Sequence, residues 1–503
     1  MKNLSIIQTK VKSLRKKKKT IGLCHGVFDI LHYGHIKHFE AAKKNCDYLF
    51  VSITSDQYIN KGPGRPIHSN SERLFFLKSL EFIDHAFIAE GDSGVNSINL
   101  IKPDFYFKGS DYKDNLSDKT KKIFLEVNAV KKNKGKVIYT NEKHMSSSSI
   151  INENKLALSD EHTEFLKNVK KLINYHEVIK SLNMIKKKDK VLIVGDLIID
   201  KYIFGNVLGK SGKEPHMVFS KIYEETYLGG SSIISNHLAD FVKKITLISD
   251  IGKEQEFKKL LSKNLKKNIL HIQLQTRKNL ETCVKTRFID IISKYKLFGS
   301  YLIPKLSNKF FYNLLNKKLA KKLKENDIII IADYSNSFFN SVSLEKVRQS
   351  KKFIAGMSQK NSNNSIFHTL DHLKNFDLLS INEGELRSEV KDNKTKIEII
   401  AQKFLIKNKL KYLVITRGNK GSVLFDKKFN IYYCPAFNLS PIDKVGAGDS
   451  MLAVLSILLK NKINPLISLF IASLVSAKVV GNIGNKYTAS REEIDRSIEF
   501  LIK

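Results

Sequence analysis

Cysteine is scarce and scattered. The four in the chain, Cys24, Cys46, Cys283 and Cys434, form no C-x-x-C pair, which removes both a zinc ribbon and a disulfide framework from consideration. Long apolar runs are missing too. The longest apolar stretch, 466–481, is interrupted by Ser468, Ser473, Ser476 and Lys478, so no membrane span is expected. The N-terminus, MKNLSIIQTKVKSLRKKKK, has no apolar segment followed by a cleavage site and does not read as a secretory signal. A cytoplasmic protein is the expectation. Arginine is rare, supplying 10 of the 86 basic residues. Arg is the residue whose planar fork reads phosphate and guanine bidentately, and the lysines here are spread along the whole chain. The net charge of +36 therefore points to solvated lysine faces rather than a nucleic-acid surface. The densest run, Lys16 to Lys19, reads as a mobile arm that is solvated or attracts a triphosphate.

What is present is enough for several cores. At roughly 100–200 residues per domain, 503 residues allow two to four domains, and 42% hydrophobic with 27% charged residues is a globular balance. From residue 20 to about 152, short apolar runs alternate with amphipathic stretches. Residues 49–54, 85–90, 105–109 and 136–140 read as strands and 73–80 as a helix, the pattern of a parallel sheet with crossover helices. Residues 153–188 are polar, charged and helical in period, a linker of one or two helices. A second alternating pattern begins at VLIVGD (191–196) and ends in apolar helices after Asp449. The chain reads as two α/β domains in tandem, 1–152 and 189–503, around a helical linker.

The first chemical signal is GVFDILHYGH, which brings His32, Gly34 and His35 to a strand-to-helix junction. A helix opening there offers free backbone N–H groups and positive dipole to an anion. Gly34 allows close approach of a phosphate, and two imidazoles can donate to oxygens that gain charge as an α-phosphorus is attacked. A lone H-x-G-H also fits two ordinary histidines on a helix. The segment resembles the G-x-F-D-x-x-H-x-G-H signature of the nucleotidylyltransferase superfamily. The match continues in order through Asp56, the KGPGRP loop, Glu72 and Arg73, KGSDY and MSSSSII. This resemblance implies a Rossmann-like N-terminal domain. Its catalytic residues would be His32 and His35, and its nucleotide contacts Gly26, Phe28, Asp29, Gly34, Lys61, Arg65, Arg73, Lys108, Gly109, Asp111, Ser146, Ser147 and Ser148. Within the superfamily it looks most like the heptose 1-phosphate adenylyltransferases, with cytosine left open as the base.

The second signal is IDKVGAGDSMLAVLSILLK. Gly446, Ala447 and Gly448 leave room for main-chain N–H groups to converge on a phosphoryl group at a helix start. Asp449 could then take the proton from an attacking hydroxyl. A glycine turn capped by Asp fits the same residues. The segment resembles the D-T-x-G-A-G-D motif of the ribokinase-like (PfkB) carbohydrate kinases. That resemblance covers about 189–503 and implies sugar binding by Asp200, Gly229, Gly230 and Asn236. It also implies nucleotide contact at Thr416, Gly418 and Gly421, and magnesium organised through water by Asn382 and Glu385. Three departures stand out. Lys444 replaces the motif's Thr, Ile233 stands where an Asn often follows the glycine pair, and AGMSQKNSNN replaces a D-P-K type element, so an acceptor other than the usual one is admissible. GNVLGKS (205–211) has one residue too few for a P-loop and reads as a sugar-contact loop.

Together the two halves resemble the bifunctional ADP-heptose synthases, with the domains in reversed order. The implied chemistry is phosphorylation of a heptose 7-phosphate-like sugar at its anomeric carbon by ATP, followed by nucleotidyl transfer to a sugar 1-phosphate with release of pyrophosphate. The product would serve cell-surface glycans such as lipopolysaccharide. The cofactors implied are Mg²⁺ and ATP, with ATP or CTP as the second nucleotide. The partners are a small-molecule sugar phosphate and nucleotides, with no nucleic acid and no membrane, and a homodimer is admissible. The alternatives are a cytidylyltransferase plus kinase for another sugar or polyol, and a basic nucleic-acid-binding or sugar-sensing regulator with vestigial sites.

Overall fold

The computed structural model describes residues 2–59, 65–109, 122–140, 159–172, 174–274, 281–304, 309–360, 369–438 and 441–502. It divides into two compact units, 1–163 and 164–503. Among the described residues no helix is long and apolar enough to cross a membrane.

The first unit is built on five parallel strands, β1 (Ile21–Gly26), β2 (Tyr48–Thr54), β3 (His85–Ala89), β4 (Phe105–Gly109) and β5 (Lys136–Thr140), in the order β3-β2-β1-β4-β5. Both faces of the sheet are covered, as parallel sheets require. Phe39, Leu49, Val51, Leu77 and Phe107 fill one side, and Leu23, Phe50, Ile98 and Tyr106 fill the other. Strand order reverses between β1 and β4, and open parallel sheets bind ligands in the crevice at the carboxyl ends of such strands. Those ends are Gly26 and Gly109.

A helix that the sequence reading did not anticipate, Lys2–Lys16, closes the second face through Ile7, Val11 and Leu14. Arg15 ties it down with two bonds to Asp104, 2.7 and 2.6 Å, and one to Lys102 O, 2.6 Å. This corrects the expectation of a mobile basic arm. Lys16 ends the helix, Lys17 and Lys18 continue its turn, and Lys19 pairs with Asp47 at 3.0 Å.

The second unit carries β6 (Lys190–Gly195), β7 (Leu197–Lys210), β8 (Met217–Gly230), β9 (Lys244–Ser249), β10 (Ile269–Gln273), β11 (Cys283–Asp290), β12 (Lys296–Leu302), β13 (Ile328–Asp333), β14 (Phe353–Ser358), β15 (Leu378–Asn382), β16 (Tyr412–Thr416), β17 (Ser422–Asp426) and β18 (Ile431–Cys434). Nine of these form one sheet in the order β10-β9-β6-β13-β14-β15-β16-β17-β18, parallel except for the last two strands. A separate four-stranded sheet has the order β12-β11-β7-β8. The helix Ala447–Lys460 is buried along nearly its whole length. It packs on the helices Ser231–Leu238 and Pro465–Val479 and on β13, β14 and β15. In the stretch expected to be a linker, the helix Tyr175–Lys188 buries Val178, Leu182 and Ile185 and belongs to the second unit.

Candidate active sites

In the first unit β1 ends at Gly26 and the helix Tyr33–Lys44 begins with His32 as its N-cap. The rings of His32 and His35 stack with centroids 3.8 Å apart. Both ring nitrogens of His32 are buried without a hydrogen-bond partner among the described residues, and burial lowers its pKa. A neutral imidazole at a helix N-terminus, with nitrogens awaiting partners, is an anion site in waiting. Gly34 is buried in the first turn, and Phe28, at φ 48°, packs its ring against His35 and Phe39.

Other residues of the motif are spent on building this loop. The Asp29 carboxylate accepts from Arg65 Nε at 2.5 Å, Ile67 N at 2.8 Å and His68 N at 3.1 Å, and both side chains of the Asp29–Arg65 pair are fully buried. Arg73 donates to Val27 O, Thr54 O, His68 O, Asn70 Oδ1 and Asp56 Oδ1 at 2.5–3.1 Å. Lys108 points into the unit, where its ammonium meets Glu126 Oε2 at 2.9 Å. Glu126 also accepts from Gly94 N and Tyr106 Oη. Asp29, Arg73 and Lys108, expected as nucleotide contacts, thus each have partners within the unit: Arg65, Asp56 and Glu126. Lys61, Asp111, Ser146, Ser147 and Ser148 lie outside the described residues.

In the second unit all the expected residues except Gly229 and Asn236 meet in one cleft of about 960 Å³. Asp200, Gly230, Asn382, Glu385, Thr416, Gly418, Gly421, Gly446, Ala447, Gly448 and Asp449 all line it. Gly446 is the N-cap of the helix Ala447–Lys460 and adopts φ 86°, a conformation glycine reaches without penalty. Ala447 and Gly448, which follow it, line the cleft. Asp449 is buried there, and burial pushes its pKa up to about 6 against the opposing effect of a hydrogen bond from Tyr334 Oη to Oδ1. Tyr334, just after β13, anchors its own N–H on Asp196 Oδ2 at 2.8 Å.

Asp200 stands on β7, with Oδ1 accepting from Arg287 at 2.6 Å and Oδ2 from Asn485 at 2.8 Å. Asn382 and Glu385 form a reciprocal capping box, Glu385 N to Asn382 Oδ1 at 2.8 Å and Asn382 N to Glu385 Oε2 at 2.9 Å. Burial raises the pKa of Glu385. Among the described residues no cluster of three or more His, Cys, Asp or Glu could hold an ion directly. An amide and a carboxylate side by side on the cleft wall instead suit a hydrated magnesium ion held through its waters.

Asn236 stands apart from the other expected sugar-binding residues. Its amide is used up between Asn264 O, at 2.9 Å, and Lys266 N, at 3.2 Å, and it does not line the cleft. Residues 205–211 do not line it either. They form the outer end of β7 and the turn after it, so the expected sugar-contact loop is a ribbon of the small sheet. The sequence reading missed Tyr334, Lys285, Arg287 and Asn485, all in the cleft wall. Lys285 and Arg287 alternate on β11 and so share one face, a signal that was legible. Asn485 carries none.

Comparison with known proteins agrees with both halves. The pfkB family carbohydrate kinase model matches residues 188–491 and the cytidylyltransferase-like model residues 23–154. A "Bifunctional protein HldE" of a Nitratiruptor species is 40% identical over 115 residues, 22% of this chain and 25% of that protein. The protein of the same name from Campylobacter fetus subsp. fetus is 43% identical over 96 residues, 19% of this chain and 21% of its own. The chain thus spans about a quarter of the length of these curated relatives. In fold, ribokinase from Thermotoga maritima superposes with TM-score 0.50 at 18% identity, over 62% of this chain and 100% of the other. Phosphofructokinase-2 from Escherichia coli gives TM-score 0.50 at 15% identity, over 63% and 100%. With the glycine-capped helix, its buried aspartate and residues 188–491 accounted for by one family, the chain belongs to the pfkB carbohydrate kinases and carries a cytidylyltransferase-like domain ahead of the kinase fold.

Proposed function

We propose that the protein is a bifunctional enzyme making a nucleotide-activated sugar. Its kinase half phosphorylates the anomeric hydroxyl of a heptose 7-phosphate-like sugar with ATP. Its N-terminal half transfers a nucleotidyl group, AMP from ATP, to a sugar 1-phosphate. The observation that carries the reading is the convergence of Asp449, the main chain of 446–448 and Asp200 on one cleft.

In the kinase half, Asp200 and its partner Arg287 orient the acceptor. The anomeric hydroxyl gives its proton to Asp449 as its oxygen bonds to the γ-phosphorus, and the bond from that phosphorus to ADP breaks. The N–H groups at the helix start receive the charge of the transferring group. Magnesium, held through water by Asn382 and Glu385, would neutralise charge on the β- and γ-phosphates. In the N-terminal half, an oxygen of the sugar 1-phosphate attacks the α-phosphorus and pyrophosphate leaves, while His32 and His35 donate to the oxygens that gain charge. Both substrates are small phosphorylated molecules, which fits a cytoplasmic role.

The test is a two-part assay read by mass spectrometry. Purified protein with Mg²⁺ and ATP is given heptose 7-phosphate, and with ATP or CTP is given heptose 1-phosphate. The expected products are a heptose 1,7-bisphosphate with ADP, and ADP-heptose with pyrophosphate. A nucleotide sugar formed only from CTP would replace the adenylyl reading. Absence of any turnover in either half would favour a regulator with vestigial sites.

A further inference from the structure

Asn485 is 6% exposed, lies in the wall of the kinase cleft and belongs to no recognised motif. Its amide has a defined orientation. Nδ2 donates to Asp200 Oδ2 at 2.8 Å, and because a carboxylate only accepts, the nitrogen must face Asp200 and the carbonyl oxygen must face away. That oxygen, Oδ1, is buried and has no hydrogen-bond partner among the described residues.

Two glycines make room for this arrangement. A Cβ on Gly446 would sit 2.6 Å from Asn485 Oδ1, and a Cβ on Gly229 would sit 2.3 Å from Asp200 Oδ2. The amide is thus wedged between the acceptor-orienting aspartate and the residue that opens the phosphoryl site. The helix after the glycine pair offers no replacement: Ile233 is apolar and buried, and Asn236 is used by the backbone of 264 and 266. A buried carbonyl left without a donor is destabilising, so a donor is expected to arrive with the substrate.

Resting on the kinase reading above, we propose that Asn485 Oδ1 accepts a hydrogen bond from the acceptor hydroxyl next to the one phosphorylated, and that Asn485 is a specificity-determining residue of the kinase site. For an anomeric kinase that hydroxyl is on C2. The acceptor class selected is a sugar with a free C2 hydroxyl, and a 2-deoxy sugar leaves Oδ1 buried and empty.

The experiment compares kcat/KM for heptose 7-phosphate and 2-deoxyheptose 7-phosphate in the wild type and in Asn485→Ala. The wild type is expected to favour the hydroxylated sugar by about 10- to 100-fold, and the variant by no more than about threefold, with KM for ATP little changed. If the residue only held Asp200 in place, both sugars would decline together and the ratio would stand, which overturns the proposal while leaving the kinase reading intact. No turnover of either sugar by the wild type overturns the heptose reading and this proposal with it. Should Asn485→Ala fail to fold, Asn485→Ser, which keeps a donor for Asp200 but is too short to replace Oδ1, reads the same ratio.

Discussion

A carboxylate as deeply buried as that of Asp449 carries its own pH dependence. With its pKa pushed up to about 6, the base is ionised above that pH and protonated below, so kinase kcat should rise with pH through about 6 and level off. Asp449→Asn keeps the shape and loses the proton acceptor. It should lower kcat by about 10²–10⁴-fold while pyrophosphate release by the N-terminal half continues, and parallel assays of both half-reactions check this. The groups facing the carboxylate are Tyr334 after β13, Asp200 on β7, Lys285 on β11 and Glu385 on the helix after β15. Of these, Tyr334 and Lys285 favour the ionised form. Tyr334→Phe should therefore move the acid limb of the rate profile to higher pH, and an unmoved limb would show that the phenol has no hold on the base. His237 raises the opposite issue. Fully buried with both ring nitrogens unpartnered among the described residues, it is pushed down by burial to about 3. Below pH 6.5 the unfolded chain binds a proton that the folded one refuses, so stability falls with falling pH by up to about 1.4 kcal/mol per unit. Thermal melts from pH 7 to 4.5 should show a shallower decline for His237→Leu. At this scale Asp449 and the glycines beside it were legible because local sequence makes a helix start. Tyr334 and Asn485 were not, since only the folded chain brings them to the cleft. Asp29, Arg73 and Lys108 belong to the motif, but their partners Arg65, Asp56 and Glu126 show only in the folded chain.

The elements legible in the sequence are those with a clear period and a clear stop. The strands at 105–109 and 136–140 have the bounds their apolar runs suggest, whereas the helix expected at 73–80 spans Asn70–Lys78, starting earlier because Ser69 and Glu72 close a capping box. In the four-stranded sheet the edge strand β12 went unread because it is exposed at all seven positions, so no alternation of burial marks it. The N-terminal helix was hidden by its lysines, although Ile7, Val11 and Leu14 keep a helical spacing. Ile7 is 2% exposed, and Ile7→Ala should cost the first unit about 2–5 kcal/mol, seen as a lower urea midpoint for loss of nucleotidyl transfer. Replacing Lys16 to Lys19 by Gln should leave that midpoint nearly unchanged. The turn after β16 makes a sharper demand. Gly421 has φ 76°, and a Cβ there would lie 2.0 Å from Cys434 O. Gly421→Ala should destabilise the kinase unit by more than about 1 kcal/mol and raise KM for ATP, because the turn lines the cleft.

At the scale of the whole molecule, each unit has its own sheet and its own buried core, so a single unfolding transition is not expected. Calorimetry should resolve two, with Ile7→Ala lowering the one that tracks nucleotidyl transfer and Gly421→Ala the one that tracks sugar phosphorylation. If both variants shift one common transition, the units do not unfold separately. The helix Ala447–Lys460, on which β13, β14, β15 and the helix Ser231–Leu238 all pack, also bears on how the protein is made. Every described strand of the first sheet has been synthesised by residue 140, so that unit can fold while the ribosome is still at work on the rest. The kinase sheet is completed by residue 434, yet the helix that fills its centre follows it in the chain. For much of its synthesis the second unit must carry an open hydrophobic seat, and it is there that a chaperone would be expected to bind.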